Sequence, residues 1–143
     1  MTRILIADDH AGTREILRVL LHQHPGWEVC GEAGNNSEAL KKAIELKPDV
    51  LVKDWVMPGM DGVELTRQLA KAAPDTAIVI FSFYDLPELQ SIAKAAGVHG
   101  VASKDLSSLI SAIEEVLRSA RNKSASVVDV SPSSPSAQPE DLD

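Results

Sequence analysis

The sequence predicts an α/β fold in which helices cover both faces of a parallel sheet. Short apolar runs alternate five times with segments whose apolar residues recur at helical spacing. The first run, residues 4–7, is apolar throughout, as in a strand that is buried on both faces. The long segments between the runs allow helical crossovers. Acidic residues and a lysine follow several of the runs. We therefore expect a ligand site beyond the carboxyl ends of the strands.

Each predicted strand is a compact run bounded by turn signals or charge. The five strands are residues 4–7, 27–33, 50–52, 77–81 and 100–103.

Helix boundaries are predicted from capping residues. Ser37 is a candidate N-cap for the second helix, and Asp61 with Glu64 has capping-box spacing ahead of the third. Gly97 fits the C-cap of the fourth helix. The fifth shows the clearest amphipathic pattern and is expected to end at about Arg121.

Length and composition indicate one domain with a short tail. The domain is expected to span residues 1–121. Residues 122–143 are rich in Ser and Pro and end in acids, so they are predicted to be a disordered tail or linker. The alternative is that this segment leads to an output domain.

Charge and cysteine content restrict the class of protein. The formal net charge of −7 argues against nucleic-acid binding by the domain. The single cysteine, Cys30, cannot form an internal disulfide, which suits a reducing compartment. No run approaches the roughly 18 apolar residues of a membrane span, and no signal peptide is evident. A cytoplasmic protein without membrane contact is expected.

The residues at the predicted strand ends can together handle a phosphoryl group. Asp8 and Asp9 follow the first strand and Asp54 follows the third. Three neighbouring carboxylates would repel one another, and Mg²⁺, which prefers oxygen ligands, relieves that repulsion. Ser82 and Lys104 end the fourth and fifth strands and offer two donors to phosphoryl oxygens. The simpler reading, that the acids merely cap helices, is less favoured for such a set.

The loop Asp54-Trp-Val-Met-Pro-Gly-Met-Asp-Gly62, with Asp8-Asp9 before it, identifies a family resemblance. From Arg3 to about Arg121 the sequence resembles bacterial two-component response-regulator receiver domains, including chemotaxis receivers. The style of strand 5 and helix 5 resembles receivers that often precede helix-turn-helix domains. The resemblance implies a flavodoxin-like (βα)5 fold, doubly wound, with strand order 2-1-3-4-5.

The resemblance also implies roles for individual residues. Asp54 would be the phosphoacceptor, and Mg²⁺ would be bound directly by Asp9 and Asp54, largely through water by Asp8, and by the backbone carbonyl of Val56. The implied activity is phosphoryl transfer that the domain assists without being an independent enzyme.

The implied partner is a sensor histidine kinase or a phosphotransfer protein. Ser82 and Lys104 would contact the phosphoryl group, and movement of Ser82 would switch the surface made by helix 4, strand 5 and helix 5. Pairing of two copies through that surface is a further implication.

Several positions depart from the family pattern. Val101 stands where the family usually has Tyr or Phe, an aromatic that Phe83 or Tyr84 could supply instead. Phe83 and Val56 suggest altered hydrolysis of the phosphoryl group. Lys53 stands where the family is normally apolar, and we expect its stem to pack while its ammonium reaches solvent. Alternatively its charge alters the acceptor's pKa or meets a partner.

Other functions are less well supported. The main alternative is a pseudo-receiver, a protein-interaction module that keeps the fold without phosphorylation. An aspartate-nucleophile phosphatase would need two aspartates separated by one residue after the first strand, and Asp8-Asp9 followed by His10 does not supply them. His10, beside Asp9, could touch the metal site, but it is expected to be a surface residue at the start of a helix. Nucleotide binding lacks a Gly-rich loop, and DNA binding would require another domain.

Overall fold

A computed structural model describes residues 1–82, 87–103 and 105–130, without the side chains of residues 87–89 and 122–130. Strands and helices alternate along the chain as predicted. The strands are β1 (Thr2–Ala7), β2 (Trp27–Ala33), β3 (Val50–Lys53), β4 (Ala77–Ser82) and β5 (Gly100–Ser103). The helices are α1 (Ala11–His22), α2 (Asn36–Leu46), α3 (Gly62–Ala72), α4 (Pro87–Ala96) and α5 (Leu106–Val130).

The five strands form one parallel sheet in the order β2-β1-β3-β4-β5. The predicted fold class and strand order are therefore confirmed. Because every strand runs in the same direction, all five carboxyl ends lie along one edge of the sheet. Neighbours in the sheet that are not neighbours in sequence, such as β1 and β3, bring distant segments together at that edge.

The core has two halves, one on each face of the sheet. Ile4, Ile6 and Val52 face the half that α1 and α5 cover. Leu5 and Leu51, at the intervening positions, face the half that α2, α3 and α4 cover. This alternation is the period of two that strand geometry imposes. None of the helices within the described ranges combines the length and apolar character that a bilayer crossing requires.

Of the two helix N-caps predicted from the sequence, one is wrong and one is confirmed. The N-cap of α2 is Asn35, whose side chain accepts a hydrogen bond from the backbone N–H of Glu38. The prediction of Ser37 as the cap was wrong, because the Asn35 side chain already satisfies that donor and starts the helix earlier. The N-cap of α3 is Asp61, as predicted, and its carboxylate accepts from the N–H of Val63 at 2.8 Å.

Helix α5 is longer than predicted. It runs to Val130 rather than ending at about Arg121, so it enters the segment that was predicted to be disordered. Residues 122–130 contain neither Pro nor Gly, and the first proline of the tail is Pro132. Nothing in that stretch therefore breaks a helix that α5 has already nucleated.

Candidate functional site

Two carboxylates and an imidazole lie together where β1 ends. Asp8, Asp9 and His10 each offer one donor atom, and these atoms lie within 4.8 Å of one another. The Asp8 side chain is buried, whereas Asp9 and His10 are exposed. The His10 backbone N–H donates to Asp8 Oδ1 at 2.9 Å, and His10 Nδ1 lies 3.2 Å from Asp9 Oδ1. Carboxylate oxygens are the ligands that a hard divalent cation prefers, and here one of the two carboxylates is exposed to solvent.

Asp54 reaches the same edge through its backbone. It follows β3 directly, and its N–H donates to the carbonyl of Ala7 at 3.0 Å. Ala7 is the residue before Asp8, so this bond fixes the start of the β3–α3 loop (residues 54–61) against the end of β1. The Asp54 side chain is half-buried. Among the described residues, its carboxylate does not belong to the cluster of donor atoms formed by Asp8, Asp9 and His10. Asp54 therefore lies at the predicted edge of the sheet but outside that cluster.

The remaining predicted site residues follow the adjacent strands. Ser82 ends β4, where it is buried and is paired with Ser103 of β5. Lys104 comes directly after β5 but lies outside the described residues, as do Phe83 and Tyr84. Val56 lies in the β3–α3 loop, and 63% of its surface is exposed.

The β3–α3 loop is fastened to the start of α2. The backbone N–H of Asn36 donates to the Pro58 carbonyl at 2.9 Å, and the Asn36 side-chain amide donates to the Met60 carbonyl at 2.8 Å. Between these contacts Gly59 adopts a φ of +98°, which disfavours any residue with a Cβ. The loop therefore has a defined conformation that depends on α2 as well as on β3.

Replacing Gly59 by alanine is expected to lower the free energy of unfolding by roughly 1–2 kcal/mol. A Cβ at this position would be strained by the positive φ and would lie 3.2 Å from the Asn36 nitrogen and 3.3 Å from the Ser37 nitrogen. Urea denaturation would measure the loss. Gly12→Ala in α1 is the matched control, because a Cβ there meets nothing within 4 Å and a helical alanine is favourable. Equal stability of Gly59→Ala and wild type would contradict the described loop conformation.

A comparison with protein families matches residues 4–118 to the model of the response regulator receiver domain. The chain belongs to the response regulator receiver domain family. Receiver domains of two-component systems bind Mg²⁺ at an acidic pocket, and the acids after β1 fit such a pocket.

The individual relatives are longer proteins, and this chain matches only a part of each. The chain is 39% identical over 99 residues to the transcriptional regulatory protein LiaR of Bacillus subtilis, an alignment that covers 68% of this chain and 47% of LiaR. It is 42% identical over 103 residues to protein-glutamate methylesterase/protein-glutamine glutaminase 5 of Myxococcus xanthus, covering 71% of this chain and 30% of that enzyme. The chain thus spans half or less of the length of these two relatives. Since their names give them different activities, the shared receiver does not determine the output.

The fold is also that of solved receivers. The signal receiver domain of the putative response regulator NarL from Mycobacterium tuberculosis superposes with a TM-score of 0.74 at 30% identity, covering 84% of this chain and 96% of that one. The flavodoxin-like architecture that the sequence predicted is therefore confirmed.

Lys53 does not extend to solvent as predicted. Its side chain points to the same face as Leu51, is 1% exposed, and ends with Nζ donating to the Asp54 carbonyl at 2.6 Å. The prediction was wrong because residues two apart in a strand share a face, and here that face is covered by α3. Burial lowers the pKa of the Lys53 ammonium from 10.5 to about 8, and the negative charge of Asp54 opposes this decrease.

His10 was expected to be a surface residue, with contact to the metal site as the alternative. It is exposed, and its ring also contacts both carboxylates of the acidic pair. Its position directly after Asp8-Asp9 was the signal for that contact. Asn36 was missed as part of the site. Asn36 had no such signal, because its contacts are with a loop more than twenty residues away in the sequence.

Proposed function

We propose that this receiver is the phosphoacceptor of a two-component phosphorelay and that Asp54 takes the phosphoryl group. One observation carries the proposal: the bond from the Asp54 N–H to the Ala7 carbonyl holds Asp54 beside the acids that follow β1. A carboxylate nucleophile next to a cation-binding pocket is the arrangement that phosphoryl transfer needs.

The proposed reaction forms one bond and breaks one. A carboxylate oxygen of Asp54 attacks the phosphorus of a phosphohistidine, and the P–N bond breaks with its electron pair going to the imidazole, which takes up a proton from solvent. Mg²⁺ bound near Asp8 and Asp9 would supply charge neutralisation for the phosphoryl oxygens. The Ser82 hydroxyl and the Lys104 ammonium would donate to the same oxygens. Hydrolysis of the aspartyl phosphate then resets the domain.

The phosphoryl donor is proposed to be a histidine kinase or a phosphotransfer protein that contacts α1. This helix begins after His10, which follows the acidic pair, and it exposes two large apolar side chains, with Ile16 60% and Val19 52% exposed. An apolar patch next to a polar reaction site suits a partner that must bind and then leave. Because such kinases draw phosphoryl groups from ATP, we propose that the chain acts in the cytoplasm.

The output surface is proposed to be the face formed by α4, β5 and α5. A wide groove of about 550 Å³ lies there, lined chiefly by small polar side chains that include Ser103, Ser107 and Ser111. Val101 contributes to the groove and has no aromatic ring that could turn inward. Ser82 pairs with Ser103, so a shift of Ser82 toward a phosphoryl group would be transmitted directly to this face. Pairing of two copies through this face is one proposed consequence.

Tryptophan fluorescence during titration with Mg²⁺ and then beryllofluoride tests the proposal. Trp55 adjoins Asp54 and is half-buried, whereas Trp27 is buried in the other half of the core. A change in fluorescence is expected on addition of Mg²⁺ and a further change on addition of the phosphoryl mimic. The second change should require Mg²⁺.

Trp55→Phe is the matched control, because it leaves the Trp27 signal in place and should remove most of the response. Intact mass after treatment with acetyl phosphate gives an independent measurement. If the protein shows no response that depends on Mg²⁺ and also forms no phosphoryl adduct, the phosphoacceptor function is excluded.

A further inference from the structure

We propose that Lys53 is a positioning residue for the phosphoacceptor site, a role that rests on the proposed function. Its ammonium holds the β3–α3 loop from beneath, in the conformation that presents Asp54 and the Val56 carbonyl to a divalent cation. Lys53 does not itself touch the cation or the phosphoryl group in this role.

The contact that supports the proposal is short and inaccessible to water. Nζ of Lys53 donates to the Asp54 carbonyl at 2.6 Å, and the whole side chain is 1% exposed. This carbonyl belongs to the peptide that links Asp54 to Trp55, at the point where the chain leaves β3. A hydrogen bond from a charged donor at that peptide limits rotation of the residue that carries the acceptor carboxylate.

Lys53 lies next to the second anchor of the same loop. A Cβ built on Gly62 would be 3.6 Å from Lys53 Nζ and 4.0 Å from Asn36 Nδ2, so both polar groups lie under the first residue of α3. Asn36 is buried and holds the other end of the loop through Met60. Its Oδ1 has no hydrogen-bond partner in the part of the chain that the structure describes. The hydrogen bond to the loop thus fixes the orientation of the buried Asn36 amide, although that orientation leaves Oδ1 without a hydrogen bond among the described residues.

Stability does not account for a lysine at this position. A buried ammonium with one recorded acceptor is unfavourable compared with an unbranched apolar side chain of similar length, such as methionine. Leu51, which lies on the same face of β3 as Lys53, belongs to the apolar core half that α2, α3 and α4 cover. Packing therefore does not explain the presence of a lysine at this position, whereas its contact with the β3–α3 loop does.

The direction in which the dissociation constant for Mg²⁺ changes distinguishes a positioning role of Lys53 from a purely electrostatic effect of its charge. Removing a positive charge beside the site would, through electrostatics alone, strengthen the binding of a cation. Loss of loop positioning would weaken it. We expect Lys53→Met to raise the dissociation constant for Mg²⁺ by about tenfold, in line with the effect of residues that orient metal ligands.

The experiment measures Mg²⁺ affinity by Trp55 fluorescence in wild type, Lys53→Met and Lys41→Met, with hydrogen exchange of the β3–α3 loop amides in each. Lys41 is an exposed lysine on α2 and controls for the change in net charge. Positioning predicts weaker Mg²⁺ binding and faster loop exchange in Lys53→Met but not in Lys41→Met. Asn36→Ala should shift both readouts in the same direction.

Unchanged or tighter Mg²⁺ binding in Lys53→Met would overturn the positioning role while leaving the phosphoacceptor function intact. Unaltered exchange in the loop would overturn it as well. Failure of the wild-type protein to bind Mg²⁺ would instead reject the proposed function itself.

Discussion

Replacing Asp54 by asparagine is expected to abolish phosphoryl uptake. The amide keeps the size of the side chain and its hydrogen-bonding reach, but it lacks the negatively charged oxygen that attacks phosphorus. The backbone bond to the Ala7 carbonyl does not involve the side chain and should survive, so the loop should stay in place. The loss should therefore be chemical, with incorporation falling below detection.

Intact mass after treatment with acetyl phosphate and Mg²⁺ would measure the effect. Asp75→Asn is the matched control, because Asp75 is an exposed aspartate in the turn before β4, at the opposite edge of the sheet, and its replacement should leave incorporation unchanged. A phosphoryl adduct that persists in Asp54→Asn would show that another residue accepts the group. Circular dichroism of both variants would confirm that the fold is retained.

The parts of the fold that could be predicted from sequence are those with local causes. Strands β1 and β4 each contain a continuous apolar run, and Asp61 caps α3 through its own side chain. The general location of the site followed from the same patterns, because parallel strands must end at one edge. Asp8 and Asp54 could be assigned to that edge once the strands were assigned.

The parts that were mispredicted depend on contacts between distant segments or on competition between neighbours. Whether Lys53 reaches solvent depends on the cover that α3 gives to one face of β3, and no local pattern reports that cover. The choice between Asn35 and Ser37 as the cap of α2 depends on which side chain first reaches a free N–H. The far end of α5 depends on the absence of a breaker, and composition rich in serine obscured it.

Replacing Lys53 by methionine is expected to raise the free energy of unfolding by about 2 kcal/mol at pH 7. Lowering the pKa of a buried lysine from 10.5 to about 8 corresponds to about 3 kcal/mol that the charged form loses on folding. Loss of the hydrogen bond to the Asp54 carbonyl offsets roughly 1 kcal/mol of the gain. Methionine fills the same space beside Leu51 without a charge.

The increase in the free energy of unfolding caused by Lys53→Met should become smaller as the pH rises. In the wild type, the folded protein releases the Lys53 proton near pH 8, whereas the unfolded chain keeps it until about 10.5. Between these values the unfolded state binds more protons, so wild-type stability rises with pH relative to the variant. The advantage of Lys53→Met should be complete below pH 8 and should shrink as the pH approaches 10.5.

Urea denaturation of both proteins in EDTA, at several pH values between 7 and about 10.5, would measure this difference, since the other titrating groups are common to both and cancel. Lys41→Met, the exposed control, should change stability by less than about 0.5 kcal/mol at every pH. A variant that is less stable than wild type would mean that the hydrogen bond to Asp54 outweighs the cost of burial. A protein that becomes more stable yet binds Mg²⁺ less well would show that Lys53 stabilises the geometry of the site at the expense of the fold.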